Sequence, residues 1–183
     1  MSGWKSKTLK LRDKHGWKSK PGYCICVLDR GAIRFDFPCD WKVAHDDDAV
    51  RIRDQEHPAD NCILAVSNLR LPPVALEVPL REFLEGTVGK EGHEILEQKP
   101  TVETRRADGV EIAWIETRYT DPKEKRDISA RMCIGRGSGI HALITFDCWT
   151  DMASQFEHVF KEVLRSLDFA LPVQDPTIGP VVQ

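Results

Sequence analysis

A chain of 183 residues is the size of one domain with room for a short appended segment. Leu, Ile, Val and Phe supply 47 of those residues, about a quarter, which is enough for a core that needs neither disulfide nor metal to hold it. The net charge is only −3. No period, Gly/Pro bias or heptad marks a fibrous chain, and no apolar run approaches the ~20 residues of a membrane helix.

In chain order, the first 22 residues form a basic segment. Lys5, Lys7, Lys10, Arg12, Lys14, Lys18 and Lys20 stand against Asp13 alone, a net of +6 that leaves −9 on the rest. Within it Thr8–Arg12 reads as a short strand at a sheet edge, blunted by lysine. Tyr23–Leu28 reads as a strand, Asp29-Arg30-Gly31 as a turn, and Ala32–Phe37 as a strand with Ile33, Phe35 and Phe37 on one face. His45-Asp46-Asp47-Asp48 is a loop, followed by strands at Val50–Arg53 and Cys62–Leu69. The second of these is nearly continuous in apolar residues and so central. Pro79 suits the first turn of a short helix that carries Leu80, Phe83 and Leu84 on one side.

From residue 94 the pattern becomes a meander. Glu94–Arg106 is extended, Asp108-Gly109 marks a hairpin, and Val110–Thr120, Asp127–Ile134 and Ile140–Trp149 are strands joined by turns at 121–126 and 135–139. Met152, Phe156, Val159, Phe160, Val163, Leu164 and Leu167 then recur at helical spacing, with Thr150 or Asp151 as the cap. Residues 172–183 form a tail ordered only by contact.

The six cysteines (24, 26, 39, 62, 133 and 148) include no C-x-x-C pair, so no zinc site is indicated. Cys24 and Cys26 share a strand face as small apolar side chains. The N-terminus has no apolar stretch of signal-peptide type. Reduced cysteines and a cytoplasmic location follow as the expectation, with no membrane span.

Residues 33–41, Ile-Arg-Phe-Asp-Phe-Pro-Cys-Asp-Trp, resemble the aromatic strand and Pro-x-x-Trp opening of PsbP-like proteins. The meander with its closing amphipathic helix, ending Phe160 … Leu164-Arg165-Ser166-Leu167, is similar to their C-terminal half. That superfamily takes in the photosystem extrinsic subunit P, the Ran-binding Mog protein, the DcrB lipoproteins and chaperones for type VI effectors. The resemblance spans about residues 32–170. It implies an α+β fold, an α/β/α sandwich around a mainly antiparallel meander sheet, and a binding or accessory role without one shared catalytic constellation. The domain division is then 1–22 as the basic segment, 23–171 as the PsbP-like domain and 172–183 as the tail.

Symmetric turns at 121–126 and 135–139 would set Trp114 opposite Cys133, Glu116 opposite Arg131, and Cys133 opposite His141. One face would hold Ala113, Ile115, Tyr119, Ile128, Ala130, Met132, Ile134, Ile140, Ala142, Ile144 and Phe146, and would lie under the C-terminal helix. The other would expose Trp114, Glu116, Arg118, Arg131, Cys133 and His141 as a binding face. Those six residues are the candidate site. Next to it stands the plainer alternative of an exposed face whose charges pair across strands.

A thiol beside an imidazole also raises an enzyme using Cys133 and His141, although no third group is placed to orient the histidine. The basic segment raises nucleic-acid contact, which the acidic body opposes. His45 with Asp46, Asp47 and Asp48 offers nitrogen and oxygen ligands but matches no EF-hand loop, and such an acidic run reads as a solvated loop. Gly135-Arg136-Gly137-Ser138-Gly139 lies between strands, with no helix N-terminus to hold a phosphate. The leading expectation is therefore a non-catalytic binding, adaptor or chaperone-like protein with a protein partner, no cofactor and no metal. Its free strand edges leave a homodimer open.

Overall fold

The computed structural model describes residues 7–45, 49–69, 71, 78–88 and 94–180. Eleven strands and two helices follow one another along these residues: β1 (Tyr23–Leu28), β2 (Ile33–Pro38), β3 (Lys42–His45), β4 (Val50–Arg53), β5 (Cys62–Leu69), α1 (Leu80–Glu85), β6 (Ile95–Gln98), β7 (Val102–Arg105), β8 (Glu111–Thr120), β9 (Asp127–Gly137), β10 (Ile140–Trp149), α2 (Ala153–Ser166) and β11 (Asp168–Phe169). The main sheet is antiparallel in the order β3-β4-β5-β10-β9-β8-β6, with β7 also paired to β8. A small sheet, β1-β2-β11, lies apart from it.

Alternation along β10 shows how the chain divides its faces. Ala142, Ile144, Phe146 and Cys148 are buried, whereas Leu143, Thr145 and Asp147 between them are half-buried. The first set joins Val50, Ile52, Leu64, Val66 and Cys133 beneath α2, which contributes Val159, Phe160 and Val163, while Leu167 follows just after it and Ile33, Phe35 and Phe37 come from β2. This is the helix face and the main core. On the opposite face α1 sets Leu80 and Leu84 against Ala113 and Ile134, with Phe83, Met132 and Leu143 packed around them. One helix on each side of an antiparallel sheet is the expected α+β sandwich.

The β9–β10 register departs from expectation. Ser138 and Gly139 both have positive φ, +51° and +77°, and form a two-residue hairpin turn. Ile140 therefore opposes Gly137, and His141 opposes Arg136. The symmetric five-residue turn over 135–139 is not formed, and β9 runs three residues further than Ile134. The displacement is odd, so it exchanges the faces of β10 relative to β9. Gly135 and Gly137 are strand residues whose missing side chains admit α2's end and β11. A Cβ at Gly135 would stand 2.7 Å from Leu167 Cδ2, and one at Gly137 would stand 2.7 Å from Phe169 Cδ2. The β8–β9 register, by contrast, is as expected, with Trp114 opposite Cys133 and Glu116 opposite Arg131.

Other local expectations need correction. Thr8–Arg12 is not a strand. The segment instead lies along the tail, where Arg12 N–H donates to Thr177 O (3.0 Å) and Gly16 N–H to Ile178 O (2.6 Å). Trp17 is buried there and donates Nε1–H to Pro176 O (2.8 Å). Neither Thr150 nor Asp151 caps α2. They form a 3₁₀ turn ahead of it, in which Thr150 accepts from Ser129 (3.1 Å) and Asp151 pairs with Arg126 (2.7 Å).

Cys24 is not a reduced small apolar residue. It is joined to Cys39 in a disulfide, because the turn after Pro38 brings Cys39 N–H onto Gly22 O (3.0 Å) and its Cα within 4.8 Å of that of Cys24. Arg34 and Asp36, on what the alternation marked as the polar side of β2, are buried. Arg34 pairs with Asp36 at 2.5 Å and donates to Ser166 O (2.9 Å) and Lys18 O (2.7 Å), so one guanidinium ties β2 to α2 and to the N-terminal segment.

Candidate functional site

The exchanged register decides where the six sequence candidates lie. Trp114, Glu116, Arg131 and Cys133 are on the helix face and not on an open one. Trp114 meets Phe160 edge-on with ring centroids 6.3 Å apart. Cys133 is fully buried beneath α2, and burial pushes its thiol up. His141 is on the opposite face, where it is buried and neutral in tendency. Burial, with the Arg136 charge beside it, holds its imidazole below the ordinary 6.5. Cys133 opposes Ile144, so the thiol–imidazole neighbourhood required by the enzyme reading is not formed.

The ion pair expected from the sequence is present and larger than expected. Arg131 contacts Glu116 across the strands at 3.2 Å, reaches Glu157 of α2 at 2.5 Å and lies 4.6 Å over the Phe160 ring. Glu116 also pairs with Lys99 (2.7 Å), and Arg118 pairs with Glu97 (3.6 Å). Glu97, Lys99, Glu116, Arg118 and Arg131 line a groove of about 260 Å³ beyond the N-terminal end of α2, together with Ser129, Phe146, Cys148, Thr150 and Ala153. Three of the six candidates, Glu116, Arg118 and Arg131, thus meet in one groove. Trp114, Cys133 and His141 do not line it.

The larger groove, of about 300 Å³, is on the other side of the sheet. Among the described residues α1 covers the β8–β9 part of that face, and Ala65, Met132 and Leu143 beside it are half-buried. Ala65, Ile115, Met132 and Leu143 form an apolar floor, while Arg51, Ser67, Thr117, Thr145 and Asp147 supply polar groups along it. Sequence reasoning set Met132 and Ile115 beneath the C-terminal helix and did not bring Leu143 or Thr145 to them. The signal that would have done so is Ser138-Gly139, read as a two-residue turn in place of the whole glycine-rich run. His45 is exposed in β3, and Asp46 to Asp48 lie outside the described residues. Among the described residues no group of three or more His, Cys, Asp or Glu could hold a metal, and no helix is long and apolar enough to cross a membrane.

A family model described as Alr1449 matches residues 24–173. The protein named Uncharacterized protein alr1449, from Nostoc sp. (strain PCC 7120 / SAG 25.82 / UTEX 2576), is 36% identical over 178 residues, which cover 96% of this chain and 92% of that protein. Among solved structures, cyanobacterial PsbP (CyanoP) from Synechocystis sp. PCC 6803 superposes with a TM-score of 0.55 at 18% identity. That match covers 85% of this chain and 96% of the other. The Ran-binding protein Mog1p of Saccharomyces cerevisiae superposes at 0.51 and 14% identity, over 86% of this chain and 98% of its own. At these identities the two structures speak for the fold.

Proposed function

The chain belongs to the Alr1449 family and carries the fold of the PsbP/Mog1 superfamily, and we propose on that premise that it works by binding a protein partner rather than by catalysis. The partner's segment docks in the open-face groove. The observation that carries this reading is the half-covered sheet. α1 shields one end of the face, and an apolar floor of Ala65, Ile115, Met132 and Leu143 is left beside the polar groups of Arg51, Ser67, Thr117 and Thr145. A concave apolar floor with a few convergent polar groups is the usual make-up of a binding site. It suits a segment that offers an apolar side chain to the floor and its backbone to the rim. The name of the yeast neighbour, a Ran-binding protein, is in keeping with a binding role on this fold.

Glu116, Arg118 and Arg131 favour a second reading, in which the groove beyond α2 takes the partner through its charges. Most of their charge is already spent on Lys99, Glu97 and Glu157, and displacing such pairs returns little. The open-face groove is therefore preferred. Affinity capture from source-cell lysate tests the choice with three baits: the native chain, Leu143→Arg to fill the groove, and Arg118→Glu. Capture lost with Leu143→Arg and kept with Arg118→Glu is the expected result. Loss only with Arg118→Glu moves the site beyond α2, and no capture by the native chain overturns the protein-partner reading.

A further inference from the structure

Cys62 of β5 and Cys148 of β10 stand directly opposite each other. Trp149 N–H donates to Asn61 O (3.2 Å), and the backbone of Cys62 turns the other way, accepting from Asp54 N–H (3.2 Å) and donating to Asp54 Oδ1 (3.0 Å). Hydrogen bonding alternates along an antiparallel pair, so Cys62 and Cys148 occupy a non-hydrogen-bonded position. There Cα atoms approach to roughly 4.5 Å and side chains are at their closest. That separation falls within the range a disulfide spans. Both cysteines carry free thiols on the helix face.

Their surroundings differ. Cys62 has no exposed surface, whereas Cys148 keeps 6% of its surface exposed and lines the groove beyond α2 with Ser129, Arg131 and Thr150. The Cys148 thiol is held below its ordinary value, first by the hydrogen bond from Cys62, with the Arg131 charge adding to it against burial, Asp147 and Glu157. Burial pushes the Cys62 thiol up. One sulfur thus borders the groove beside Arg131, with a second directly behind it across the strands, which is the arrangement of a reactive and a resolving cysteine.

From this geometry we propose that Cys148 and Cys62 form a redox site that reacts with a hydroperoxide and closes into a cross-strand disulfide. The narrow exposure of Cys148 selects a small oxidant, and hydrogen peroxide is the smallest of that class. The Cys148 thiolate attacks one peroxide oxygen, the O–O bond breaks, and hydroxide leaves to take up a proton as water. The resulting Cys148 sulfenic acid is attacked by the Cys62 sulfur; the S–S bond forms, the S–O bond breaks and a second water leaves. Two thiols and one peroxide become one disulfide and two waters, with sulfur oxidised and peroxide oxygen reduced. Because β5 and β10 are already neighbours, closure requires no rearrangement of the sheet.

The test treats the full native chain with hydrogen peroxide, alkylates the remaining thiols and maps them by mass spectrometry. The expected result is a peptide linked through Cys62 and Cys148, with Cys26 and Cys133 still alkylatable and the link reversed by dithiothreitol. Cys148 is expected to react at least about tenfold faster than Cys133, which has no exposed surface, and than the half-buried Cys26, whose thiol desolvation pushes up to about 12. In Cys62→Ala a sulfenic acid at Cys148 should be trapped by dimedone. Oxidation of Cys26 or Cys133 as fast as Cys148 overturns the proposal. So does survival of all four thiols at a peroxide concentration that consumes free cysteine. Both readouts use the native chain, so a variant that fails to fold does not shelter the idea.

Discussion

His141 is the residue whose environment differs most from what its sequence neighbours suggest. It is buried opposite Arg136, and its Nε2 has no hydrogen-bond partner among the described residues. Burial first, and the nearby guanidinium second, hold it below the ordinary 6.5. The folded chain therefore binds this proton less readily than the unfolded chain does. By linkage, its effect is absent well above pH 6.5. As pH falls below 6.5 the unfolded chain takes up the proton first, and stability declines, with a limiting slope of about 1.4 kcal/mol per pH unit for one group. Denaturant midpoints measured from pH 7.5 to 5 should show this decline in the native chain and a shallower one in His141→Phe. Equal slopes in the two chains would remove His141 as the cause. The residue type alone could not announce this, because a histidine in a strand reads the same whether its face is wet or covered.

At the scale of elements, the β9–β10 hairpin controls which side chains share a face. β8 and β9 meet as the sequence pattern requires, because the polar turn at 121–126 is symmetric and Glu116 has its partner in Arg131. In β9–β10 several glycines offered more than one turn, and local pattern could not choose among them. The choice falls to packing: Leu167 and Phe169 need the bare backbone at Gly135 and Gly137, which leaves Ser138-Gly139 to turn the chain. Gly137→Ala should then destabilise the fold by about 1–3 kcal/mol, the usual cost of forcing extra volume into a packed site. Gly139→Ala should cost only about 1 kcal/mol, since nothing lies within 4 Å and only its positive φ opposes the change. Thermal melts of both variants check the order, and a larger loss for Gly139→Ala would refute the packing account. The matching lesson for α2 is that its apolar stripe was legible in full, while its start was not. Thr150 and Asp151 look like caps but spend their oxygens on Ser129 and Arg126.

For the whole molecule, the Cys24–Cys39 disulfide closes the open end of the β1–β2 hairpin. The two cysteines are 15 residues apart, and a loop of that size contributes about 2–4 kcal/mol through the unfolded chain. Disulfides persist in oxidising compartments and are scarce in reducing ones, and for Cys24 and Cys39 this pairing replaces the reduced state expected from the lack of a signal-type stretch and the size of the chain. Thiol titration of denatured protein isolated under alkylating conditions should find Cys24 and Cys39 blocked, leaving at most four thiols, from Cys26, Cys62, Cys133 and Cys148. Six thiols would mean that the chain resides where the bond is reduced. Cys24→Ser/Cys39→Ser should lower the denaturation midpoint without loss of the main sheet, because the disulfide joins none of its strands. By itself the sequence determined the strand segments β1, β4, β5 and β10, the short helix opened by Pro79 and the amphipathic α2, because each depends on patterns local to a few consecutive residues, and the fold family followed from a resemblance carried by residues 33–41 and the meander with its closing helix. Only the tertiary structure decided which face α2 covers, that Cys133 and His141 stand apart, that Cys62 meets Cys148, and that residues 12–17 rest on the tail. Those outcomes depend on register and on contacts between distant segments, where a shift of an odd number of residues exchanges every side chain on a strand while leaving its pattern unchanged.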